Sequence, residues 1–282
     1  MTDGSVVMAG GLNLDLLVCR FSPDGEVAWV WSYGTGRLSE AKAAAATSDG
    51  GILIIGSSQL IDDPDGPPGE ADLWVLKLAS TGEIDWQRRI GGNADDAGEW
   101  VFQTPDGGYL IAGNTVSFDT DGQSRFWLLK LSEAGEVLRQ LTLDHPFGGY
   151  RWINIRPVAD GAYYAAIRPA QPSSPGHAVF IIIGQDGAIL LERSFEALHG
   201  PFEAAVALPT TDGGCLLSLT GPSSAQDPRG QALVMKLRPT GDVEWRKTYG
   251  SAYSDDKISL LDAAGGTDGY LLAGTTSSWG GL

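Results

Sequence analysis

Short apolar stretches alternate with turn residues along the whole chain. Residues 96–143 contain one complete set, in which EWVFQT, YLIAG, FWLLKL and VLRQLTL are separated by an Asp-Gly pair, a polar loop and the turn SEAGE. Stretches of this length between Gly-, Asp- and Ser-rich turns predict β-strands rather than helices. We name the four strands A, B, C and D in chain order. Four antiparallel strands joined by tight turns are typical of the blade of a β-propeller.

The set recurs along the chain. The Asp-Gly pair that precedes strand B occurs at Asp3, Asp49, Asp106, Asp160, Asp212 and Asp268. A repeat of about 50 residues that contains one small sheet can bury its faces only against neighbouring repeats. The sequence therefore predicts an all-β fold in which residues 1–282 form a single β-propeller domain of four-stranded antiparallel blades.

The number of blades follows from the order of the strands. They read B-C-D, then four complete A-B-C-D sets, then A-B. Closure as five blades would pair residues 257–276 with strands near residues 15–33 and would leave one B strand over. Six blades and a segment of a longer array are the alternatives, and the tail stops where the second repeat continues into strand C. Five blades are favoured.

Repeated positions within the strands and turns predict their roles. Asp106-Gly107 suits a two-residue type I′ turn, and Gly135 falls at the left-handed position of the second turn. One strand D column holds three tryptophans, which predict wedges between blades, and two other residues: Trp29, Trp86, Arg139, Leu191 and Trp245. A strand C column is basic except at Ile182, and we expect its charges to be exposed outside the packing: Arg20, Lys77, Lys130 and Lys236.

Three runs around these columns resemble the repeat of PQQ-type bacterial β-propellers. They are RFSPDGEVAW (20–29), KLASTGEIDW (77–86) and KLRPTGDVEW (236–245). The resemblance covers nearly the whole chain and implies the propeller fold and a secreted or periplasmic location. It does not extend to the quinoprotein enzymes, which are larger and carry an adjacent cysteine pair that this chain lacks.

The composition excludes several classes of partner. The chain has 19 Lys and Arg against 35 Asp and Glu, for a net charge of −16, so it repels phosphate backbones and anionic lipids. We expect no nucleic-acid partner and no membrane insertion, and the N-terminus has no signal-peptide pattern. Cys19 and Cys215 stand where other repeats have larger apolar residues, which predicts two buried thiols without a disulfide.

Ionisable residues concentrate where each strand A begins. In a propeller, the segments that lead into the innermost strands cluster at one mouth of the central channel. Carboxylates beside Arg, Lys or His at that mouth could hold a polar ligand such as a sugar, or perform acid–base catalysis. The candidate ligand-binding residues are Arg37, Glu40, Lys42, Asp95, Asp96, Glu99, Arg151, Trp152, His199, Glu203, Asp255, Asp256 and Lys257.

Acidic loops between strands B and C suggest calcium. Asp63 and Asp65 lie in DDPDGPPGEAD (62–72), and Asp119 and Asp121 lie in DTDG. Alternating Asp oxygens with a Gly are typical of calcium loops, but neither loop completes the EF-hand pattern, and ion-free turns are favoured. No other cofactor is expected.

The favoured function is a non-catalytic interaction or ligand-binding module with a protein or glycan partner. The alternative is a carbohydrate-active hydrolase or lyase that uses carboxylates at the channel mouth. The two differ in geometry, because an enzyme needs two carboxylates that converge on a pocket.

Overall fold

The computed structural model of the chain describes most of its residues. They are 3–12, 15–34, 39–59, 71–118, 122–143, 150–158, 160–169, 177–196, 204–222, 230–249, 256–263 and 270–276. These residues form β-strands and turns, with no helix among them. They divide into two compact units, Met1–Asp144 and His145–Leu282.

The first unit contains three antiparallel sheets. The first sheet has three strands, β1 (Val6–Leu12), β2 (Asp15–Phe21) and β3 (Val27–Tyr33). The second has four, β4 (Ser39–Ala46), β5 (Ile52–Gln59), β6 (Ala71–Leu78) and β7 (Ile84–Ile90). The third also has four, β8 (Asp96–Gln103), β9 (Tyr109–Thr115), β10 (Arg125–Leu131) and β11 (Val137–Leu143).

The second unit continues the same pattern. Its fourth sheet has strands β12 (Tyr150–Pro157), β13 (Tyr163–Pro169), β14 (His177–Ile183) and β15 (Ile189–Glu196). The fifth has β16 (Ala204–Pro209), β17 (Cys215–Pro222), β18 (Gly230–Leu237) and β19 (Val243–Tyr249). The last has two strands, β20 (Asp256–Ala263) and β21 (Tyr270–Thr276).

The all-β class and the four-stranded antiparallel blade are confirmed. In every complete sheet the strands lie in the order A-B-C-D, each hydrogen-bonded to the next. The four complete sheets, with one of three strands and one of two, fit the five blades favoured by the sequence. Strand A of the third sheet begins at Asp96, three residues before the predicted start.

The predicted pairing of the chain ends is wrong in one respect. The expectation was that residues 257–276 would pair with strands near residues 15–33. In the structure, β2 is hydrogen-bonded along its length to β1 on one side and to β3 on the other. Strand β1 is the B strand that five-blade closure would have left over. It pairs with the edge of β2 at which closure would have placed residues 257–276, and β20 pairs with β21.

Within each unit, hydrophobic clusters lie between consecutive sheets. Alternate residues of β5 point to opposite faces, so Ile52 and Ile54 pack with Leu16 of the first sheet, whereas Leu53 and Ile55 pack toward the third sheet. In the second unit, one cluster likewise joins the fourth and fifth sheets. A sheet that is buried on both faces has continuous apolar strands, which explains stretches such as FWLLKL.

Two of the strand D tryptophans contact the next sheet, which confirms their prediction as wedges. The indole Nε1 of Trp29 donates a hydrogen bond to the Ser80 carbonyl of the second sheet, at 3.1 Å. The Trp86 ring lies 5.9 Å from the Tyr109 ring of the third sheet, measured between centroids. Both are half-buried, as is Trp245, which packs on the core of its own sheet.

The cysteines differ in burial. Cys215 is completely buried, as predicted, and burial raises the pKa of its thiol far above the usual range. Cys19 is only half-buried. Both are free thiols.

The A–B turns differ from the type I′ expectation. Gly107 N donates to Thr104 O at 3.0 Å, and Thr104 N donates to Gly108 O at 2.9 Å, so the loop has three residues rather than two. Gly107 at its third position has φ +82°. This is the hairpin loop in which a type I turn is followed by a left-handed glycine. The left-handed glycine predicted for the C–D turn is confirmed at Gly135, with φ +78°.

The three lysines of strand C are buried and Arg20 is half-buried, so the prediction that these residues are exposed is wrong. Lys77, Lys130 and Lys236 are 3%, 3% and 5% exposed. Their aliphatic stems lie within the sheet packing. A buried ammonium requires partners, and these come from the A–B turn of the same sheet.

The turn aspartate is the main partner of each lysine. Lys130 Nζ lies 2.9 Å from Asp106 Oδ1 and donates to Thr104 Oγ1 at 2.8 Å and to the Leu131 carbonyl at 3.4 Å. Asp106 Oδ1 also accepts the Gly108 amide at 3.1 Å. The same arrangement joins Lys77 to Asp49 at 2.7 Å and Lys236 to Asp212 at 2.8 Å. In the first sheet, Arg20 pairs with Asp3 at 2.7 Å.

These contacts change the acidity of the aspartates. Partial burial raises the pKa of Asp49 and Asp106, but the hydrogen bonds from lysine, threonine and a glycine amide outweigh it, and both pKa values fall to about 2. The same hydrogen bonds hold the pKa of Asp212 still lower.

Replacing one of these lysines should destabilise the protein. Lys130→Met keeps an unbranched apolar stem but removes the counter-ion of Asp106 and the donor to the Leu131 carbonyl. We expect a loss of about 1–3 kcal/mol in the free energy of unfolding, measured by urea denaturation. The control is Arg88→Met, because Arg88 forms an exposed 3.4 Å pair with Glu136 and should lose less than about 1 kcal/mol. Equal losses in the two variants would contradict a special role for the buried lysine.

The effect of Lys130→Met should depend on pH. An aspartate whose pKa is about 2 in the folded protein and about 3.9 in the unfolded chain stabilises the folded state above about pH 4. This contribution is lost as the pH falls toward 2, because Asp106 becomes protonated. Urea denaturation at pH 7, 4, 3 and 2.5 should therefore show a difference between wild type and variant that narrows with acid. A constant difference down to pH 2.5 would argue against the ion pair as its source.

Candidate functional site

The best-described part of the predicted ligand-binding region lies at the start of strand β8 in the first unit. We call this region the β8 entrance and define it by Lys42, Asp72, Arg89, Asp95, Asp96, Glu99, Asn114 and Ser117. Strands β4 and β8, both A strands, lie against each other, so their first residues are neighbours. The ends of β7 and β9 and the start of β6 complete the entrance.

The other predicted residues are described less fully. Five of them lie on strands β4, β12 and β20, with side chains outside the described part: Glu40, Arg151, Trp152, Asp256 and Lys257. Eight candidates lie outside the described residues altogether: Arg37, His199, Glu203, Asp255 and the calcium candidates Asp63, Asp65, Asp119 and Asp121.

Asp96 has a buried carboxylate that holds the backbone and a hydroxyl group of its own unit. It is 1% exposed, and its Oδ2 accepts the Gly92 amide at 2.9 Å and the Ser117 hydroxyl at 2.6 Å. Among the described residues, Asp96 Oδ1 has no hydrogen-bond partner. Asp96 thus fixes the connection between β7 and β8.

Asp95 has a similar role on the surface. Its carboxylate Oδ1 accepts the amide of Ala71, at the start of β6, at 2.8 Å. Its main-chain carbonyl accepts the Val116 amide at 3.0 Å. The side chain therefore ties β6 to the β8 entrance while remaining exposed to solvent.

Asp72 belongs to the entrance, although it was not among the predicted ligand-binding residues. It is 7% exposed, and its Oδ2 lies 2.6 Å from Nε of Arg89. A Cβ atom at Gly91 would lie 1.9 Å from Asp72 Oδ1 and 2.6 Å from Asp96 Oδ2. The two carboxylates thus converge on the backbone of Gly91, where only glycine leaves room for them.

The sequence contains a signal that could have identified this arrangement. In the first sheet, Asp15 occupies the position of Asp72, and Gly34 occupies the position of Gly91. A Cβ atom at Gly34 would lie 1.6 Å from Asp15 Oδ1. In both repeats, an aspartate at the start of strand C together with a glycine after strand D therefore indicates that the carboxylate lies against the glycine backbone.

Glu99 and Lys42 project from matching β-bulges. The bulge in β8 falls between Gly98 and Trp100, and the bulge in β4 falls between Ala41 and Ala43. A bulge inserts one residue and redirects its side chain, often beside functional sites. The two residues thus occupy equivalent positions on neighbouring A strands and have opposite charges.

The surroundings of Glu99 favour its protonated form. Burial raises the pKa of the Glu99 carboxyl, and this effect outweighs the hydrogen bond from Asn114 and the charge of Lys42, which lower it. The Asn114 amide nitrogen donates to Glu99 Oε1 at 2.7 Å. A half-buried carboxyl beside an exposed ammonium can accept and donate hydrogen bonds to a polar ligand.

The described residues show neither a metal-ligand cluster nor an apolar helix of membrane-spanning length. There, no three His, Cys, Asp or Glu side chains come together in a group that could hold a metal ion. In the same part of the chain, no helix is long and apolar enough to cross a bilayer.

The comparisons with known proteins define the fold only. No family model matches the chain, and no curated protein is significantly similar to it. A protein of unknown function from Dyadobacter fermentans DSM 18053 aligns with a TM-score of 0.50 and 14% identity, over 84% of this chain and 76% of its own. A point variant of the Synechocystis apocarotenoid oxygenase aligns with a TM-score of 0.52 and 13% identity, over 87% of this chain. The chain spans 58% of the length of that oxygenase.

Truncating Asp96 should destabilise the first unit. Asp96→Ala removes a buried carboxylate that accepts the Gly92 amide, and it leaves the Ser117 hydroxyl with only the Ala94 carbonyl as acceptor, at 2.9 Å. This loss should cost about 1–3 kcal/mol. The control is Glu83→Ala, which removes an exposed carboxylate in a C–D turn and should change the free energy of unfolding by less than about 0.5 kcal/mol. Urea denaturation measures both. An Asp96→Ala variant as stable as wild type would show that these hydrogen bonds contribute nothing.

Proposed function

We propose that the chain is a non-catalytic β-propeller module that binds a polar ligand at the β8 entrance. One observation carries this proposal. Three of the four carboxylates described there bind a cation or a backbone amide of the same unit: Asp72 binds Arg89, Asp95 binds the Ala71 amide, and Asp96 binds the Gly92 amide and Ser117. Glu99, the fourth, accepts a hydrogen bond from the side chain of Asn114. A glycosidase-type mechanism needs a pair of carboxylates free to face the substrate.

Glu99 and Lys42 are the groups that would contact the ligand. They lie on neighbouring bulges, and the hydrogen bond from Asn114 holds the Glu99 carboxyl in place. The hydroxyl groups of a glycan are both donors and acceptors, so they match a carboxyl beside an ammonium. The module would therefore recognise a glycan through hydrogen bonds rather than through burial of a large apolar surface.

The T-G-x-x-x-W runs at residues 81–86 and 240–245 support a further part of the proposal. They resemble the repeats of PQQ-type bacterial propellers, so we place the chain with the secreted or periplasmic members of that superfamily. A binding module exposed outside the cytoplasm would meet glycans of the cell surface.

One property of Glu99 favours the hydrolase as a second candidate. A raised pKa makes the Glu99 carboxyl a better candidate for a general acid than an ordinary glutamate. An enzyme would need a second carboxylate facing the same ligand, and Asp72, Asp95 and Asp96 are engaged elsewhere.

A glycan array should separate the two candidates. Wild type is compared with the double variant Glu99→Gln/Lys42→Gln and with Glu83→Gln as the control. We expect the double variant to bind the recognised glycan at least about tenfold more weakly, a change of about 1.4 kcal/mol, at unchanged stability. The control should bind like wild type.

Two results would count against the binding proposal. Equal binding by wild type and the double variant would place the ligand elsewhere. Hydrolysis of chromogenic glycosides by wild type, with the activity abolished in Glu99→Gln, would favour the enzyme.

A further inference from the structure

The fourth sheet lacks the lysine network of the second, third and fifth sheets. Ile182 stands where they have the buried lysine, and Val158 stands where they have the turn threonine. The aspartate remains, as Asp160, and its Oδ1 accepts the Ala162 amide at 3.1 Å. The turn therefore keeps its shape, but within the described part of the chain no cation pairs with Asp160.

The strand D tryptophan is also replaced in this sheet. Leu191 occupies the position of Trp86, and Leu190 occupies that of Asp85. On the facing fifth sheet, Cys215 stands where the third sheet has Tyr109. At three of these positions an apolar side chain replaces a lysine, a threonine or an aspartate. At the other two, a smaller side chain replaces a tryptophan or a tyrosine.

A groove lies where these replacements meet. It has a volume of about 710 Å³ between the fourth and fifth sheets, and its lining includes Val158, Asp160, Tyr164, Ile182, Leu191 and Pro239. The corresponding space between the second and third sheets has a volume of about 330 Å³ and is lined by Asp49, Lys77, Asp85 and Trp86 among others. Ligand sites for small organic molecules typically measure roughly 300–1,000 Å³ and are mostly apolar.

The charge at the edge of the groove is negative. Burial is the main cause that raises the pKa of Tyr164, and the nearby Cys215, Asp160 and Asp212 raise it further. Asp212 is neutralised by Lys236 at 2.8 Å. Arg193, a base on β15, donates instead to the Glu192 carbonyl at 3.1 Å. Asp160 thus supplies a carboxylate beside an apolar space, and no residue in the described ranges serves as its counter-ion.

We propose that this groove binds an organic amine with an apolar body. The ammonium pairs with Asp160, as the lysine Nζ pairs with the turn aspartate in the other sheets. The apolar body fills the space beside Leu191, which the Trp86 side chain occupies between the second and third sheets. This site lies at the A–B turns, at the opposite ends of the strands from the entrances, and is separate from the glycan site proposed above.

Tryptamine is a suitable probe because it joins an indole to an ammonium. Its neutral counterpart, tryptophol, has a hydroxyl in place of the ammonium. Isothermal titration calorimetry on wild type should show at least tenfold tighter binding of tryptamine than of tryptophol. Asp160→Asn should reduce tryptamine binding to the level of tryptophol and leave tryptophol binding unchanged.

The other repeats provide the residues that should close the groove. The triple variant Val158→Thr/Ile182→Lys/Leu191→Trp introduces the threonine, lysine and tryptophan found in those sheets. We expect it to melt at or above the wild-type temperature and to bind tryptamine at least tenfold more weakly. The control Leu138→Trp adds an indole at an exposed position on β11 and should bind like wild type.

Three results would overturn the proposal. They are no binding of tryptamine to wild type, equal binding of tryptamine and tryptophol, and equal tryptamine binding by wild type and the triple variant. Should the triple variant fail to fold, the single variant Leu191→Trp provides the same test. The double variant Glu99→Gln/Lys42→Gln should bind tryptamine normally, so failure of the glycan proposal is distinguishable from failure of this one.

Discussion

The ion pair between a buried lysine and the aspartate of an Asp-Gly turn is the interaction on which the second, third and fifth sheets depend. An ammonium that is 3% exposed would be costly without partners, and each of its partners lies in the same sheet. The aspartate that neutralises it also accepts the amide that begins strand B. One carboxylate therefore satisfies a turn and a buried charge together, and its low pKa reflects both contacts.

The sequence predicted the strands and their order because each repeat carries the same apolar stretches and turn residues. Strand D of the third sheet was predicted with the observed bounds, Val137–Leu143. The burial of the lysines could not be predicted from their own column, because a lysine in an apolar strand can point to either face. The column of Thr-x-Asp-Gly turns contained the missing partner, about 25 residues away in the chain.

The candidate site shows a similar limit. The repeat indicated where ionisable residues gather, and Glu99 and Lys42 do lie on neighbouring strands. It could not separate a carboxylate that binds the backbone, such as Asp96, from one that faces a ligand, because both are polar residues at a strand start. Asp72 was not predicted as part of the site. Its partner Arg89 and its neighbour Gly91 lie at the end of strand β7, so the residues next to Asp72 in the sequence give no sign of them.

The spacing of the lysine and aspartate has a consequence for how each blade acquires its register. The two residues are 24 residues apart in the third and fifth sheets and 28 in the second, so both belong to one repeat. Moving strand C by one position would turn the lysine to the other face of the sheet and leave the aspartate unpaired. In each such blade, the lysine–aspartate contact thus disfavours a shifted alignment of the strands. Because both residues belong to the same repeat, this contact does not require the neighbouring blades to have packed.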